Sequence, residues 1–187
     1  MTDLDGVRRQ QLLEEAEGYL DLLVVLSDRW PLTPPARDRL GRRALRILDA
    51  LLPLWDEPDY ILYLKGQTLR AMQRYDRAVT ALQQAAEADP ADLHVCLALG
   101  WCFKRMDRVD LAVAALRRAL QTHRDEAILH YNLACYCSLA GQPKRALSYL
   151  ARALQIEPAY RKLVSRESDF DPIRDDPRFV ALIEEQV

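Results

Sequence analysis

The stretch AILHYNLACYCSLAGQPKRALSYLARALQIEPAY, residues 127–160, consists of two segments with helical periodicity on either side of Gly141-Gln142-Pro143. Glycine is favoured where a helix ends. Proline is favoured in the first turn of the next helix, because the N–H that it lacks would have no partner there. The stretch is therefore predicted to fold as a pair of helices joined by a short turn.

The same pattern occurs three times, with a period of 34 residues. Four columns of small or leucine residues keep this spacing without a gap: Gly66, Gly100 and Ala134; Ala78, Ala112 and Ala146; Leu82, Leu116 and Leu150; Ala85, Ala119 and Ala153. Small side chains let two helices approach closely, and larger ones would cost about 1–3 kcal/mol through overpacking. The first copy is predicted to form helices over Tyr60–Met72 and Arg77–Ala88, with a turn around Gln73–Asp76.

A helix–turn–helix of this length, with these columns, resembles the tetratricopeptide repeat. The resemblance covers residues 59–160 and implies an all-α, right-handed solenoid of helix–turn–helix hairpins. Two positions depart from the family pattern. Arg124 stands where the family has proline, and the early aromatic position is filled by Leu62, Cys96 and His130 in the three copies.

The repeat register divides the chain into three predicted parts. Residues 1–58 form an N-terminal helical cap with a degenerate repeat; residues 59–160 form three repeats, 59–92, 93–126 and 127–160; and residues 161–187 form a C-terminal capping segment and helix. Terminal units that depart from the pattern are expected, because each end of a stacked array must cover an otherwise exposed face.

The N-terminal cap is predicted to contain a first helix over Val7–Ser27 and a second over residues 35–55, separated by the proline-rich turn RWPLTPP. Its apolar side chains are numerous for a cap: Leu20, Leu23, Val24 and Ile47. Intramolecular capping is favoured. The alternative is a surface for a partner or for self-association, with Leu20–Leu26 or the groove contacting a second copy.

The C-terminal stretch DFDPIRDDPRF resembles a tail that commonly closes bacterial tetratricopeptide arrays. Phe170, Ile173, Phe179 and Leu182 are expected to pack on the last repeat. Asp176 is expected to cap a final helix that carries Pro177 in its first turn.

In this family the first helix of each repeat lines a concave groove, and the resemblance implies which columns face it. The predicted peptide-binding residues are Tyr60, Tyr63, Gln67, Arg70, His94, Leu97, Trp101, Lys104, Ile128, Tyr131, Asn132 and Cys135. Tyrosine, tryptophan and arginine are frequent binding hot spots. The alternative is that the N-terminal helix fills the groove. The basic residues of the family's two-carboxylate clamp are missing, which favours an extended or helical ligand with apolar anchors.

The cysteines and histidines of LHVCLALGWC and LHYNLACYC do not predict a metal site. Cys96 and Cys102 point about 120° apart on a helix, and Cys135 and Cys137 about 160° apart. A Cys-x₂₋₄-Cys knuckle, which structural zinc sites favour, is missing as well. The cysteines are therefore predicted to be packing residues, and no metal or cofactor is expected.

The remaining composition points to a binding protein and not to an enzyme. A net charge of −2 over 187 residues argues against nucleic-acid binding. The longest apolar run, LLVVL, is too short to cross a bilayer, and no signal peptide is evident, so a cytoplasmic protein is expected. Phosphate-binding and nucleophile motifs are missing. The predicted role is a non-catalytic adaptor for a protein or peptide partner; the alternatives are a specialised secretion-type chaperone and a structural homo-oligomer.

Overall fold

The computed structural model describes residues 3–29 and 32–184, with side chains for residues 5–25 and 32–184. This part of the chain contains ten α-helices and no β-strand. The helices are α1 (Asp3–Arg29), α2 (Pro34–Leu51), α3 (Asp59–Ala71), α4 (Tyr75–Ala85), α5 (Leu93–Arg105), α6 (Val109–Ala119), α7 (Ala127–Leu139), α8 (Pro143–Ile156), α9 (Arg161–Val164) and α10 (Pro177–Glu184). Three 3₁₀ segments, Leu52–Leu54, Pro158–Tyr160 and Ser168–Ile173, join or flank them.

Helices α1 to α8 pack as consecutive hairpins, which confirms the predicted all-α fold class. Helices α3 and α4 correspond to the helices predicted for the first copy, although α4 begins and ends earlier than Arg77–Ala88. In the N-terminal part, α1 is longer than the predicted Val7–Ser27. Trp30 and Pro31 of the predicted proline-rich turn lie outside the described residues.

The chain forms two compact units, which are described separately below. Unit 1, residues 1–89, contains α1 to α4, and unit 2, residues 90–187, contains α5 to α10. None of the described helices combines the length and the apolar composition that crossing a bilayer requires.

The turn inside each repeat contains one residue with a left-handed backbone, always at the same column: Gln73 (φ 62°), Asp107 (φ 58°) and Gly141 (φ 66°). The residue that follows donates its N–H to a carbonyl five residues earlier: Arg74 to Leu69 (2.8 Å), Arg108 to Phe103 (2.8 Å) and Gln142 to Cys137 (2.9 Å). Glycine was predicted to end the helix only in the third copy. The first two copies adopt the same turn although this conformation disfavours L-residues by about 1–2 kcal/mol.

Close approach of the two helices in a hairpin explains the small-residue columns. A Cβ atom on Gly66 would lie 2.5 Å from Leu82 Cγ, and one on Gly100 would lie 3.1 Å from Leu116 Cδ2. Both leucines are fully buried. A larger side chain at Gly66 would therefore overlap a neighbour that has no free space around it.

Helix α1 contributes to the core of unit 1. Its Leu13 and Ala16 form one buried cluster with the α2 and α3 side chains Leu48, Leu51, Ile61 and Leu64. Leu20 and Ile47 pack against this cluster, and Leu23 is buried. Leu22 and Val25, in contrast, are 46% and 62% exposed. One side of α1 thus caps the unit and another side remains at the surface; the Leu26 side chain lies outside the described part.

The C-terminal tail packs on the last hairpin. Phe170, Ile173 and Phe179 are buried, whereas Leu182 is only partly buried. Asp176 Oδ1 accepts a hydrogen bond from the Arg178 N–H (2.9 Å), and α10 begins at Pro177. This contact caps the first turn of α10.

Candidate binding surface

The predicted groove residues are divided between the two units. Tyr60, Tyr63, Gln67 and Arg70 lie on α3 of unit 1. The other eight lie on α5 and α7 of unit 2. Their surroundings differ from helix to helix.

In unit 1, three of the predicted side chains form a hydrogen-bonded row along α3. The Gln67 amide donates to Tyr63 Oη (2.7 Å), and its carbonyl oxygen accepts from Arg70 Nε (2.7 Å). These bonds follow from spacings of four and three residues on a helix, which place the side chains on one face. The row is partly exposed and fixes the orientation of the Gln67 amide.

Helix α1 contacts this face of α3. Tyr60 Oη donates to Glu17 Oε1 of α1 (2.7 Å), and Tyr63 packs against the core cluster to which α1 contributes. The hydrogen bond to Glu17, together with partial burial, raises the pKa of Tyr60 to about 12. The N-terminal helix therefore contacts part of the predicted surface in unit 1.

In unit 2, the predicted side chains of α5 remain partly accessible. His94 is exposed, and Leu97 and Trp101 are partly exposed. The Arg105 guanidinium lies 5.8 Å from the centre of the Trp101 ring, within the range of a cation–π interaction. The Trp101 ring therefore offers a partly accessible apolar surface with a charged group beside it.

The predicted side chains of α7 are largely covered by the C-terminal segment. Tyr131 is 7% exposed, and its ring packs against Tyr160 (5.0 Å between centroids) and edge-on against Phe170 (5.8 Å). Cys135, one turn further along, is 2% exposed. Both side chains are therefore closed to a ligand in this arrangement of the chain. Ile128 and Asn132 are partly exposed, and the Asn132 amide donates to the Ile128 carbonyl (2.8 Å).

Polar side chains cluster where the C-terminal segment packs on α7. Lys104 of α5 forms an ion pair with Asp169, which is 7% exposed. Glu167 Oε1 accepts from the Asp169 N–H (3.2 Å), as expected from helix-cap chemistry. Burial raises the pKa of both Tyr131 and Cys135, and the nearby Asp169 and Glu167 raise both further. The phenol and the thiol are therefore neutral at physiological pH. The sequence did not predict the Lys104–Asp169 pair, because the two residues are far apart in the chain.

All four cysteines are buried. Cys96, Cys102 and Cys137 are each fully inaccessible within the helical packing of unit 2. His130, also buried, lies with Nε2 2.8 Å from the Arg124 carbonyl oxygen. This contact joins two of the positions at which the sequence departs from the repeat pattern.

Comparison with known protein families identifies the class of the chain. Three tetratricopeptide-repeat models match residues 39–92, 69–134 and 127–160, which together cover residues 39–160. The chain therefore belongs to the tetratricopeptide-repeat family. The first of these matches begins within α2, ahead of the first predicted repeat.

Among solved structures, the chain is similar to several MamA proteins. One MamA crystal structure has a TM-score of 0.66 and 16% identity, covering 91% of this chain and 87% of that one. The structure of MamA from Desulfovibrio magneticus RS-1, from residue 41 to its end, has a TM-score of 0.61 and 18% identity, and the match covers 91% of this chain and 94% of that one. The structure of MamA of MSR-1 has a TM-score of 0.58 and 22% identity, and the match covers 84% of this chain and 99% of that one. These likenesses establish a shared fold. No curated protein matches the chain in sequence.

Proposed function

We propose that the protein is a non-catalytic adaptor that binds a peptide or helical segment of a partner protein at the predicted groove residues. The observation that carries the proposal is the partly accessible row His94, Leu97 and Trp101 on α5, with Arg105 beside the Trp101 ring. First helices form the binding surface in repeat proteins of this family. Tryptophan and arginine are the residues that most often dominate binding energy.

The ligand that fits this row carries apolar anchors and not a cluster of carboxylates. Lys104 already pairs with Asp169 of the same chain, so it offers little charge to an acidic ligand. Leu97 and Trp101 follow the spacing of neighbours on one helix face, which suits two apolar side chains of a partner segment.

The proposal involves no catalytic step and no cofactor, and it places the protein in the cytoplasm. Burial keeps the Tyr131 phenol and the Cys135 thiol neutral, so neither group is activated as a nucleophile or a base.

Site-specific photo-crosslinking tests the proposal. A photo-reactive amino acid at Leu97 is compared with one at Arg118, an exposed position on α6. We expect the Leu97 probe to capture a defined protein from the native lysate, and Trp101→Ala in the same chain to weaken capture about 30-fold, the effect of removing a hot spot. Capture from Arg118 alone, or capture from Leu97 that is insensitive to Trp101→Ala, would contradict the proposal.

Self-association through α1 is a second candidate, because Leu22 and Val25 are exposed and three residues apart on one helix. Contiguous exposed apolar patches often mark protein contacts. Light scattering over a range of concentrations measures the mass in solution. A wild-type dimer that becomes monomeric as Leu22→Glu, Val25→Glu supports this candidate, and a wild-type monomer throughout excludes it.

A further inference from the structure

Three potential metal ligands converge where the C-terminal segment covers α7. Cys135 comes from α7, Glu167 from the residue preceding the 3₁₀ segment, and Asp169 from within that segment. The Cys135 thiol and the two carboxylates offer one ligand atom each, and these atoms all lie within 4.8 Å of one another. Cys135 and Asp169 are buried, and Glu167 is partly exposed.

The Tyr131 hydroxyl is an independent indication that this cluster holds a ligand. Tyr131 lies one turn before Cys135 on α7 and is more than nine-tenths buried. Its hydroxyl has no hydrogen-bond partner among the described residues. Its ring packs edge-on against Phe170, the residue next to Asp169, and Cys135 follows one turn later on the same face of α7, so the Tyr131 side chain lies beside the cluster. A buried hydroxyl without a partner costs about 1–3 kcal/mol, and such groups are rare in folded proteins.

The charges around the cluster fit a divalent cation. In their anionic forms, the three ligands carry three negative charges. A divalent cation and the Lys104 ammonium, which is paired with Asp169, balance them. Lys104 occupies one carboxylate oxygen, Oδ2, and thereby leaves the other oxygen of Asp169 to the cation. Partners of this kind orient a ligating carboxylate in many metal sites.

We propose that Cys135, Glu167 and Asp169 bind a zinc-class divalent cation, with a water as fourth ligand accepting a hydrogen bond from, or donating one to, Tyr131. A mixed sulfur and carboxylate set suits zinc or cadmium, whereas magnesium and calcium take oxygen ligands only. Sulfur and oxygen ligands of tetrahedral zinc lie about 3.5 Å apart, so the cluster contracts on binding. The partly exposed Glu167 side chain can make this movement. The Cys135 thiol releases its proton to solvent as the sulfur–metal bond forms.

The site would fasten the C-terminal segment to α7, in addition to the contact between Phe170 and Tyr131. Metal binding is therefore expected to stabilise unit 2 against unfolding. The proposal departs from the absence of a metal site predicted from the sequence. That prediction weighed spacings between cysteines and histidines, whereas this ligand set joins one cysteine to carboxylates more than 30 residues away.

Cadmium titration of the full chain tests the proposal, since cadmium–thiolate bonds give an ultraviolet charge-transfer band. The protein is first reduced and freed of metal with a chelator. We expect one Cd²⁺ per chain, with a charge-transfer band that Zn²⁺ displaces. Cys137→Ala is the matched control, because Cys137 is also buried and lies two residues along the same helix. We expect this variant to keep the band and Cys135→Ala to lose it.

Glu167→Gln provides a second variant that keeps the size and the hydrogen-bonding oxygen of the side chain. We expect it to fold as wild type by circular dichroism and to bind Cd²⁺ at least about 10-fold more weakly. The proposal is overturned if wild type shows no saturable thiolate band. It is equally overturned if the band survives in Cys135→Ala, or if folded Glu167→Gln binds as tightly as wild type.

Discussion

Tyr63 and Tyr131 occupy the same column of the repeat, yet their surroundings differ. Tyr63, on α3, is partly exposed and accepts a hydrogen bond from Gln67. Tyr131, on α7, is buried under Tyr160 and Phe170, and its hydroxyl has no partner among the described residues. The repeat fixes the position of a side chain on its helix. The segment that covers the helix decides whether that side chain can meet a ligand.

Helix α1 and the C-terminal segment cover the repeat helices through different kinds of contact. At the edge of the α3 face, α1 contributes a hydrogen bond between exposed groups, Glu17 and Tyr60. At the α7 face, the C-terminal segment contributes a fully buried phenylalanine and a largely buried carboxylate, Phe170 and Asp169. Burial of an aromatic side chain contributes several times more free energy than an exposed hydrogen bond. Removing the Phe170 ring should therefore cost more than removing the hydrogen bond between Glu17 and Tyr60.

The largest effect is expected for Phe170→Ala. Removing this fully buried ring leaves a cavity beside Tyr131 and Phe179 and should lower the free energy of unfolding by about 3–5 kcal/mol. Leu163→Ala is the control, because Leu163 lies in the same segment and is 51% exposed. Urea unfolding followed by circular dichroism measures both. If Phe170→Ala and Leu163→Ala lowered the free energy of unfolding by the same small amount, Phe170 would not be buried.

The next effect is expected for Lys104→Met, which leaves the carboxylate of Asp169 largely buried and unpaired. We expect a loss of about 1–3 kcal/mol in the free energy of unfolding. In unit 1, Lys65→Met removes the pair with Asp49, whose side chain is 56% exposed, and should cost about 0–1 kcal/mol. The comparison uses the same denaturant titration, and a larger loss for Lys65→Met would contradict the difference in burial.

Gly66→Ala and Gly100→Ala compare one small-residue column in the two units. The Cβ at Gly66 overlaps Leu82 Cγ, an atom near the backbone that cannot swing away, so we expect a net loss of about 1–2 kcal/mol. At Gly100 the contacts are looser, and the helix preference for alanine should offset them to within about 0.5 kcal/mol. Thermal unfolding of the two variants distinguishes these outcomes. The prediction is contradicted if Gly66→Ala is as stable as wild type and Gly100→Ala is destabilised.

The smallest effect is expected for Tyr60→Phe, and it should depend on pH. The folded pKa of Tyr60, about 12, lies above the ordinary value of 10. The contribution of its hydrogen bond to Glu17 is therefore complete below pH 10 and is lost as the pH rises toward 12. Because Tyr60 is 47% exposed, we expect less than about 1 kcal/mol at neutral pH. Ultraviolet titration of tyrosinate should show one high-pH transition missing in Tyr60→Phe. If the transition missing in Tyr60→Phe lies near the ordinary value of 10, this hydrogen bond is excluded.

The helices and hairpins could be predicted from the sequence because their determinants are local and repeat. Gly66, Gly100 and Pro143 mark helix contacts and turns by residue type alone. The left-handed turns at Gln73 and Asp107 were not predicted, because neither residue type requires that conformation.

The covers of the candidate surface depend on contacts that residue type does not specify. The packing of Phe170 on the last repeat was predicted from the resemblance of the tail. The contact of Phe170 with Tyr131 and the ion pair between Asp169 and Lys104 could not be predicted in this way, because both depend on the path that the chain takes between α8 and α10. Likewise, the choice between capping and self-association for α1 depends on which side of the helix faces the core, and the structure places apolar residues on both sides.

The reactivity of the four thiols tests most directly whether the C-terminal segment covers α7. Metal-free wild type and Phe170→Ala are labelled with a maleimide under native conditions, and each cysteine is quantified by mass spectrometry. We predict that all four thiols are protected in wild type, and that Cys135 is labelled before Cys102 and Cys137 in the variant, because the Cys135 thiol lies within 4.8 Å of the Glu167 and Asp169 carboxylates of the segment. Rapid labelling of Cys135 in native wild type, or an unchanged order of labelling in Phe170→Ala, would contradict this arrangement.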